Sequence, residues 1–258
     1  MYALVSDISF FIQGYTAGRF PLTSVMELPL GIPSANVGCP VIWELYEKYL
    51  KSEYHGVKML SVWTIAPAYI YTSKKPVRTL EDLRGLRIRS AGPQVTQTLK
   101  ELGASAISLP ASDVYDGLQR GLIDGTTCDF GPMKSFRFAE VVKYGTVISL
   151  YVLPMGLAMN QKVWDGLSPD IKKVFGELGG LHFGKRNAIS FDNADRVGRE
   201  ELKGKGGEII ELSAEEQKKC AEKFKVINEK WVSDMEAKGL PGKKVLEEAS
   251  LLVKKYSK

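Results

Sequence analysis

Short strands and short helices alternate between residues 86 and 121, and this alternation restricts the possible folds most. Residues 86–89 and 106–109 have the composition of strands, and a helix with one apolar face follows each of them. Pro93 suits the first position of the first helix, and Gly103 suits the residue just beyond its end. This order of elements is typical of α/β proteins with parallel strand pairing.

The second half of the chain is predicted to be mainly helical. Ser168 and Pro169 predict the start of one helix, and Ser213 with Glu216 predicts a capping box at the start of another. One face of this second, long helix is predicted from an apolar stripe, which consists of Cys220, Phe224, Ile227, Trp231 and Met235. An α/β module followed by a long helical region suggests two lobes around a cleft.

Composition disfavours several classes of function. The chain of 258 residues has a net charge of +5 that is spread along its length, which disfavours nucleic acid as a partner. It contains no run of 18 apolar residues and no visible signal-peptide pattern. Three cysteines and two histidines lie far apart without metal-ligand spacing, so we expect neither a metal site nor a cofactor.

The GLRIR run at residues 85–89 contains the strongest candidate for a ligand contact. Arg87 and Arg89 share one face of the strand, and Arg89 stands where the strand turns into a helix. Open α/β sheets bind anions at such strand ends, and the planar guanidinium matches a carboxylate. From the residues alone, Arg89 is either this anchor or a surface or ion-paired charge. The loop at residues 90–92 either supports the anion with its amides or is an ordinary turn.

The sequence resembles the DctP-type substrate-binding proteins of TRAP transporters along essentially the whole chain. The resemblance rests on the GLRIR run, on VYDGLQRGLIDG at residues 114–125, and on four shorter matches, which are RFP at 19–21, ELP at 27–29, LGA at 102–104 and KGLPG at 238–242. It implies a two-lobe α/β fold like that of periplasmic binding proteins, with a hinge and a long C-terminal helix that spans both lobes. It also implies that Arg89 pairs with the carboxylate of an organic acid in the cleft, whereas Arg87 is structural or faces solvent.

The resemblance further implies the limits of the lobes. We expect residues 1–66 and 154–193 in the first lobe, residues 67–153 and 194–221 in the second, and residues 222–258 as C-terminal helices that pack across both. Members of the family carry a further βαβ-like segment before the first strand matched here. We therefore expect the first lobe to be N-terminally incomplete, with an exposed sheet edge.

Six further residues are expected at the ligand. Cys128 stands where many family members carry an asparagine; because a thiol is a weak hydrogen-bonding group, a sugar acid with many hydroxyls is disfavoured. The other five could instead have core or loop roles, and they are Gln13, Tyr15, Trp63, Tyr69 and Phe130. Their composition suggests a mostly apolar pocket around one carboxylate anchor.

The resemblance implies a periplasmic binding protein that delivers an organic acid anion, chemically unchanged, to TRAP membrane permease subunits. Two alternatives remain open, namely a two-lobe sensor domain that feeds a receptor and an enzyme with Cys128 as its nucleophile. The enzyme is disfavoured because no histidine lies within 50 residues of Cys128 to lower the pKa of its thiol.

Overall fold

The structure is a computed structural model that describes residues 6–258. Its strands are, in chain order, β1 (Ile8–Ile12), β2 (Val57–Thr64), β3 (Ala68–Thr72), β4 (Arg87–Ser90), β5 (Ser105–Ser108), β6 (Gly125–Cys128), β7 (Tyr144–Tyr151), β8 (Pro154–Asn160) and β9 (Glu208–Glu211). Its α-helices are α1 (Ala35–Leu45), α2 (Pro93–Glu101), α3 (Val114–Gln119), α4 (Gly131–Ser135), α5 (Gln161–Gly166), α6 (Pro169–Leu178), α7 (Gly180–Gly204), α8 (Ala214–Glu236) and α9 (Gly242–Tyr256).

The strands form two separate sheets, one in each lobe. The first sheet has the order β1-β8-β2, and both of its pairings are antiparallel. The second sheet has the order β5-β4-β6-β3-β7-β9. The chain passes from one sheet to the other between β2 and β3 and returns between β7 and β8. The predicted two-lobe α/β fold is thus confirmed, while the exact residue limits of the lobes stay a prediction.

Parallel pairing holds for only part of the second sheet. Strand β4 is parallel to both β5 and β6, and β7 is parallel to β9, as the alternation of strands and helices predicts. Strand β3 is antiparallel to both of its neighbours, β6 and β7. The β3–β7 pair is antiparallel because β3 carries the chain into the lobe and β7 carries it out in the opposite direction.

Helix α7 connects the two lobes. It has 25 residues, so it is about 37 Å long, and it packs against α1 and β2 of the first lobe and against α4 of the second. Asp192 on this helix accepts hydrogen bonds from the backbone N–H groups of Ala35 (2.7 Å) and Asn36 (3.0 Å) at the start of α1. One turn later, Asp195 accepts a hydrogen bond of 2.9 Å from the Phe130 N–H beside α4.

Helix α8 also contacts both lobes. The indole N–H of Trp231 donates to Ser24 Oγ at 2.8 Å, and Glu216 accepts a bond of 2.8 Å from the Leu80 N–H. Four members of the predicted apolar stripe are buried and Phe224 is half-buried. The predicted capping box forms only in part: Ser213 accepts from the Glu216 N–H, but the Glu216 carboxylate bonds to Leu80 and Lys219 instead.

Candidate ligand-binding cleft

A cavity of about 320 Å³ lies between the two lobes. Its walls come from β1 and the turn after it, from the ends of β4 and β6, and from the middle of α7. Most of the lining side chains are apolar, and they include Phe10, Ile12, Ile65, Val114, Phe136, Phe138, Leu153, Met155 and Phe191. Small-molecule sites in proteins combine such apolar walls with a few well-placed polar groups.

A larger groove of about 750 Å³ lies on the first lobe alone, against β1, β2 and β8. The smaller cavity is the candidate ligand site because it is bordered by both lobes and contains a buried cationic group, Arg89.

Arg89 is the principal polar group of the cleft. Its side chain is buried, with 4% of the residue exposed at the end of β4. Its Nε donates to the Leu109 carbonyl oxygen at 2.9 Å, and its Nη2 donates to the Tyr15 hydroxyl at 3.4 Å. No carboxylate within residues 6–258 lies within 4.0 Å of this guanidinium. Because a buried charge is unfavourable without a counter-charge, the site is suited to an anion.

Arg87 has a different environment two residues earlier. It makes a bidentate pair with Asp124 on the surface, with Nε–Oδ2 and Nη2–Oδ1 distances of 3.0 and 2.8 Å. Hydrogen bonding to Arg87 lowers the pKa of the Asp124 carboxyl. Arg87 is therefore already neutralised, which agrees with the structural role expected for it.

The loop at residues 90–92 does not line the cleft. Ser90 Oγ and Thr96 Oγ1 are hydrogen-bonded at 2.8 Å, and Gly92 packs against the backbone carbonyl of Gly14 in the first lobe. A Cβ at position 92 would lie 2.6 Å from that carbonyl oxygen, so only glycine allows this approach. The loop therefore joins the two lobes beside the cleft.

One thiol, that of Cys128, and one carboxyl group, that of Asp129, border the cavity at the end of β6. Burial raises the pKa of the Cys128 thiol well above its usual value, which keeps the sulfur protonated and makes it a poor nucleophile. Burial, helped by the nearby charge of Asp195, raises the pKa of Asp129 to about 7. Asp129 was not expected at the site, although its position directly after Cys128 at a strand end was a usable signal.

Of the seven residues predicted at the ligand, three line the cavity: Arg89, Tyr15 and Cys128. The other four pack behind its walls or beside it. The Tyr69 ring lies 5.4 Å from the fully buried Phe130 ring. Trp63 stacks on Phe10 at 6.1 Å, and Gln13 donates to the Tyr54 hydroxyl at 3.1 Å. Direct contact of these four with a ligand stays a prediction.

Several lining residues were missed by sequence reasoning. Phe10 and Ile12 alternate with Phe11 along β1, so period-2 alternation could have assigned them to one face. Phe191 and Ala194 lie on α7, a helix that the sequence patterns did not delimit.

One family of known proteins matches most of this two-lobe chain. The model of the family described as "Bacterial extracellular solute-binding protein, family 7", the DctP family, matches residues 6–234. The chain belongs to this family. The predicted resemblance is thereby confirmed.

Curated proteins and solved structures are also similar to this chain. The 2,3-diketo-L-gulonate-binding periplasmic protein YiaO of Escherichia coli is 32% identical over 120 residues, which are 46% of this chain and 37% of YiaO. A TRAP solute-binding protein from Rhodoferax ferrireducens, solved with copurified benzoate, is 30% identical with a TM-score of 0.93, and the match covers 98% of this chain and 80% of that one. A marine metagenome TRAP protein specific for aromatic acids, solved with 3-hydroxybenzoate, is 29% identical with a TM-score of 0.94, covering 98% and 81%.

The chain spans only about a third to three fifths of the length of the curated relatives that it matches. Within the described residues, no helix is both long and apolar enough to cross a membrane. The same part of the chain contains no cluster of three or more His, Cys, Asp or Glu side chains that could hold a metal ion.

Proposed function

We propose that this family 7 protein captures a monocarboxylic acid with an apolar, ring-sized body between its lobes and delivers it to a TRAP permease in the periplasm. The observation that carries the proposal is Arg89, a buried guanidinium that borders the cavity without a carboxylate partner among the described residues. A ligand carboxylate supplies the missing counter-charge and accepts bidentate hydrogen bonds.

The apolar lining supports an aromatic or similarly apolar acid over a sugar acid. Apart from Arg89, the polar side chains that border the cavity are few; they are Tyr15, Thr127, Asp129 and Ser135. A sugar acid would bury several hydroxyl groups against apolar walls without partners, which is unfavourable. The ligands of the two structural relatives, benzoate and 3-hydroxybenzoate, are consistent with this substrate class.

The cleft is proposed to bind its ligand without transforming it. The Cys128 thiol borders the cavity, but burial raises its pKa well above the usual value and keeps it protonated. Asp129, whose pKa is raised to about 7, accepts no hydrogen bond from the hydroxyl groups of Tyr15, Thr127 or Ser135, which also border the cavity. Closure of the lobes on the ligand would then present the surface that the permease recognises.

A thermal-shift screen with matched acids tests the proposed substrate class. Benzoate, 3-hydroxybenzoate and mandelate are expected to raise the melting temperature, since a ligand that binds the native state stabilises it by mass action. Benzamide, which lacks the charge, and glucuronate, which lacks the apolar ring, are expected to leave it unchanged. Stabilisation by glucuronate alone, or equal stabilisation by benzamide and benzoate, would refute the proposal.

A further inference from the structure

Besides the cleft, a second cavity between the lobes, of about 400 Å³, borders the turn that also forms one wall of the cleft. Gln13, Gly14 and Thr16 line it, whereas Tyr15 lines the cleft. The remaining walls come from residues up to Glu27 in the first lobe, from the start of α2 in the second lobe and from the last turns of α8. Both lobes thus contribute to this cavity as well.

Glu27 is a buried acid that borders this second cavity. Only 2% of the residue is exposed, and no group within residues 6–258 donates a hydrogen bond to its carboxylate or forms an ion pair with it. The carboxylate lies against Gly14, where any Cβ would overlap Oε1. Burial alone raises the pKa of Glu27 to about 8. An unpartnered carboxylate in such a place is strongly unfavourable unless it is protonated or a ligand neutralises it.

Another buried acid of the same lobe has its full set of partners. Glu53 accepts hydrogen bonds from the Leu22 N–H (2.5 Å), the Thr23 N–H (2.9 Å) and Thr23 Oγ1 (2.6 Å). The fold can therefore satisfy a buried carboxylate with its own donors, and at Glu27 it does not.

Gln13 contributes a second oxygen without a donor. Its Nε2 donates to the Tyr54 hydroxyl at 3.1 Å, which fixes the orientation of the amide. Its Oε1 is buried and accepts no hydrogen bond within the described part of the chain. One cavity is thus bordered by a buried acid, Glu27, and by the buried amide oxygen of Gln13, neither of which accepts a hydrogen bond within the described part of the chain.

We propose that this second cavity binds a small monovalent cation, with Glu27 and the Gln13 amide oxygen as ligands. A single carboxylate balances a single positive charge, whereas calcium and magnesium sites generally use more carboxylate oxygens or retained waters. Sodium, potassium and ammonium share the required chemistry. Glu27 must lose its proton before its carboxylate can bind a cation, so cation and proton compete for the site.

Other charged groups at this cavity do not replace the cation. On α8, Asp234 forms an exposed pair with Lys230 at 3.2 Å. Lys238, just after α8, borders the cavity and forms no ion pair with Glu27 within residues 6–258. Helix α2 presents the neutral side chains of Gln94 and Gln97.

Thermal unfolding in different chloride salts tests the site without any organic acid, so its outcome is independent of the proposed function. At pH 8.5 and equal ionic strength, sodium, potassium or ammonium chloride is expected to raise the melting temperature by about 2–4 °C over choline chloride. The difference should shrink at pH 6, because the proton then occupies Glu27. The Glu27→Gln variant should lose the difference, while Asp234→Asn at the rim should keep it.

Three results would overturn the site. These are equal melting temperatures in all four salts, a cation effect that survives in Glu27→Gln, or one that disappears in Asp234→Asn. If Glu27→Gln does not fold, the pH dependence of the wild-type cation effect decides: a difference as large at pH 6 as at pH 8.5 contradicts binding at Glu27.

Discussion

Arg89 Nη2 lies 3.4 Å from the Tyr15 hydroxyl, and this long hydrogen bond crosses the cleft between the lobes. Arg89 is buried at the end of β4 in the second lobe, whereas Tyr15 follows β1 in the first lobe and is 47% exposed. Under the proposed function, a carboxylate bound to Arg89 would lie beside a hydroxyl of the opposite lobe, and its binding would be coupled to lobe closure.

Replacement of Tyr15 by Phe removes only this hydroxyl. We expect affinity for the best acid of the thermal-shift screen to fall by about 2- to 10-fold, the loss typical of one hydrogen bond. Stability should hardly change, since Tyr15 is half exposed. Isothermal titration calorimetry measures the affinity, and Tyr49→Phe, whose ring lies near Lys244 away from the cleft, is the control. Equal affinities of wild type and Tyr15→Phe would show that the hydroxyl does not contact the ligand.

Replacement of Phe10 by Ala tests whether the apolar wall binds a ring. Phe10 lines the cavity although 54% of it is exposed, so the variant should stay folded. Affinity for benzoate is expected to fall by about 10-fold, because an aromatic contact and its buried area are lost. Ile8→Ala is the matched control, since Ile8 lies on the same face of β1 and outside the cavity. If both variants bind benzoate as tightly as wild type, the benzoate ring does not lie against β1.

Asp129 should make stability and binding depend on pH. Its pKa is raised from 3.8 when unfolded to about 7 in the fold, so the native state binds more protons between these values. Its contribution to stability is therefore lost as pH rises from about 4 to 7, and Asp129→Asn should remove that part of the decline. Urea unfolding between pH 4 and pH 8 measures the difference, with the exposed Asp116→Asn as control.

The same titration should weaken anion binding. Above pH 7 the ionised Asp129 borders the cavity and repels a carboxylate, so wild-type affinity should decline between pH 6 and pH 8. The affinity of Asp129→Asn for the acid should stay constant across this range. If its affinity declines as much as that of wild type, another group causes the pH effect.

Gly198 on α7 permits the close approach of the loop before α4. A Cβ there would overlap the carbonyl oxygen of Phe130, so Gly198→Ala should destabilise the protein by about 1–3 kcal/mol. Gly204→Ala on the same helix has open space and should be neutral or slightly stabilising. Urea unfolding measures the stability of both variants. Equal stabilities would mean that the loop before α4 moves away from the added methyl group at no cost.

The sequence predicted the parts of the fold whose signals are local. The β4–α2–β5–α3 module and the apolar stripe of α8 were recognisable because period and capping residues lie within one segment. Helix α7 was not delimited, because most of its buried positions are small residues, namely Gly184, Ala188 and Gly198, which give little apolar periodicity. Small residues allow close packing of α7 on both lobes, which is a tertiary property.

The candidate site was predictable to a similar extent. Arg89 was predicted from its place at a strand end and from the family resemblance, Cys128 from that resemblance, and Tyr15 from the glycine-bearing loop after the first strand. The apolar wall brings together Phe10, Val114 and Phe191, which are far apart in sequence. Their proximity depends on how the lobes meet, and no local pattern encodes it.

The most direct test of the central claim is the affinity of Arg89→Ala for benzoate, measured by calorimetry beside Arg87→Ala. The two arginines share a strand, but Arg87 is paired with Asp124 and Arg89 has no carboxylate partner among the described residues. Arg89→Ala is expected to remain folded and to lose about 2–5 kcal/mol of binding free energy, at least roughly 30-fold in affinity. Arg87→Ala should bind like wild type. Unchanged affinity in folded Arg89→Ala would contradict the proposed carboxylate anchor.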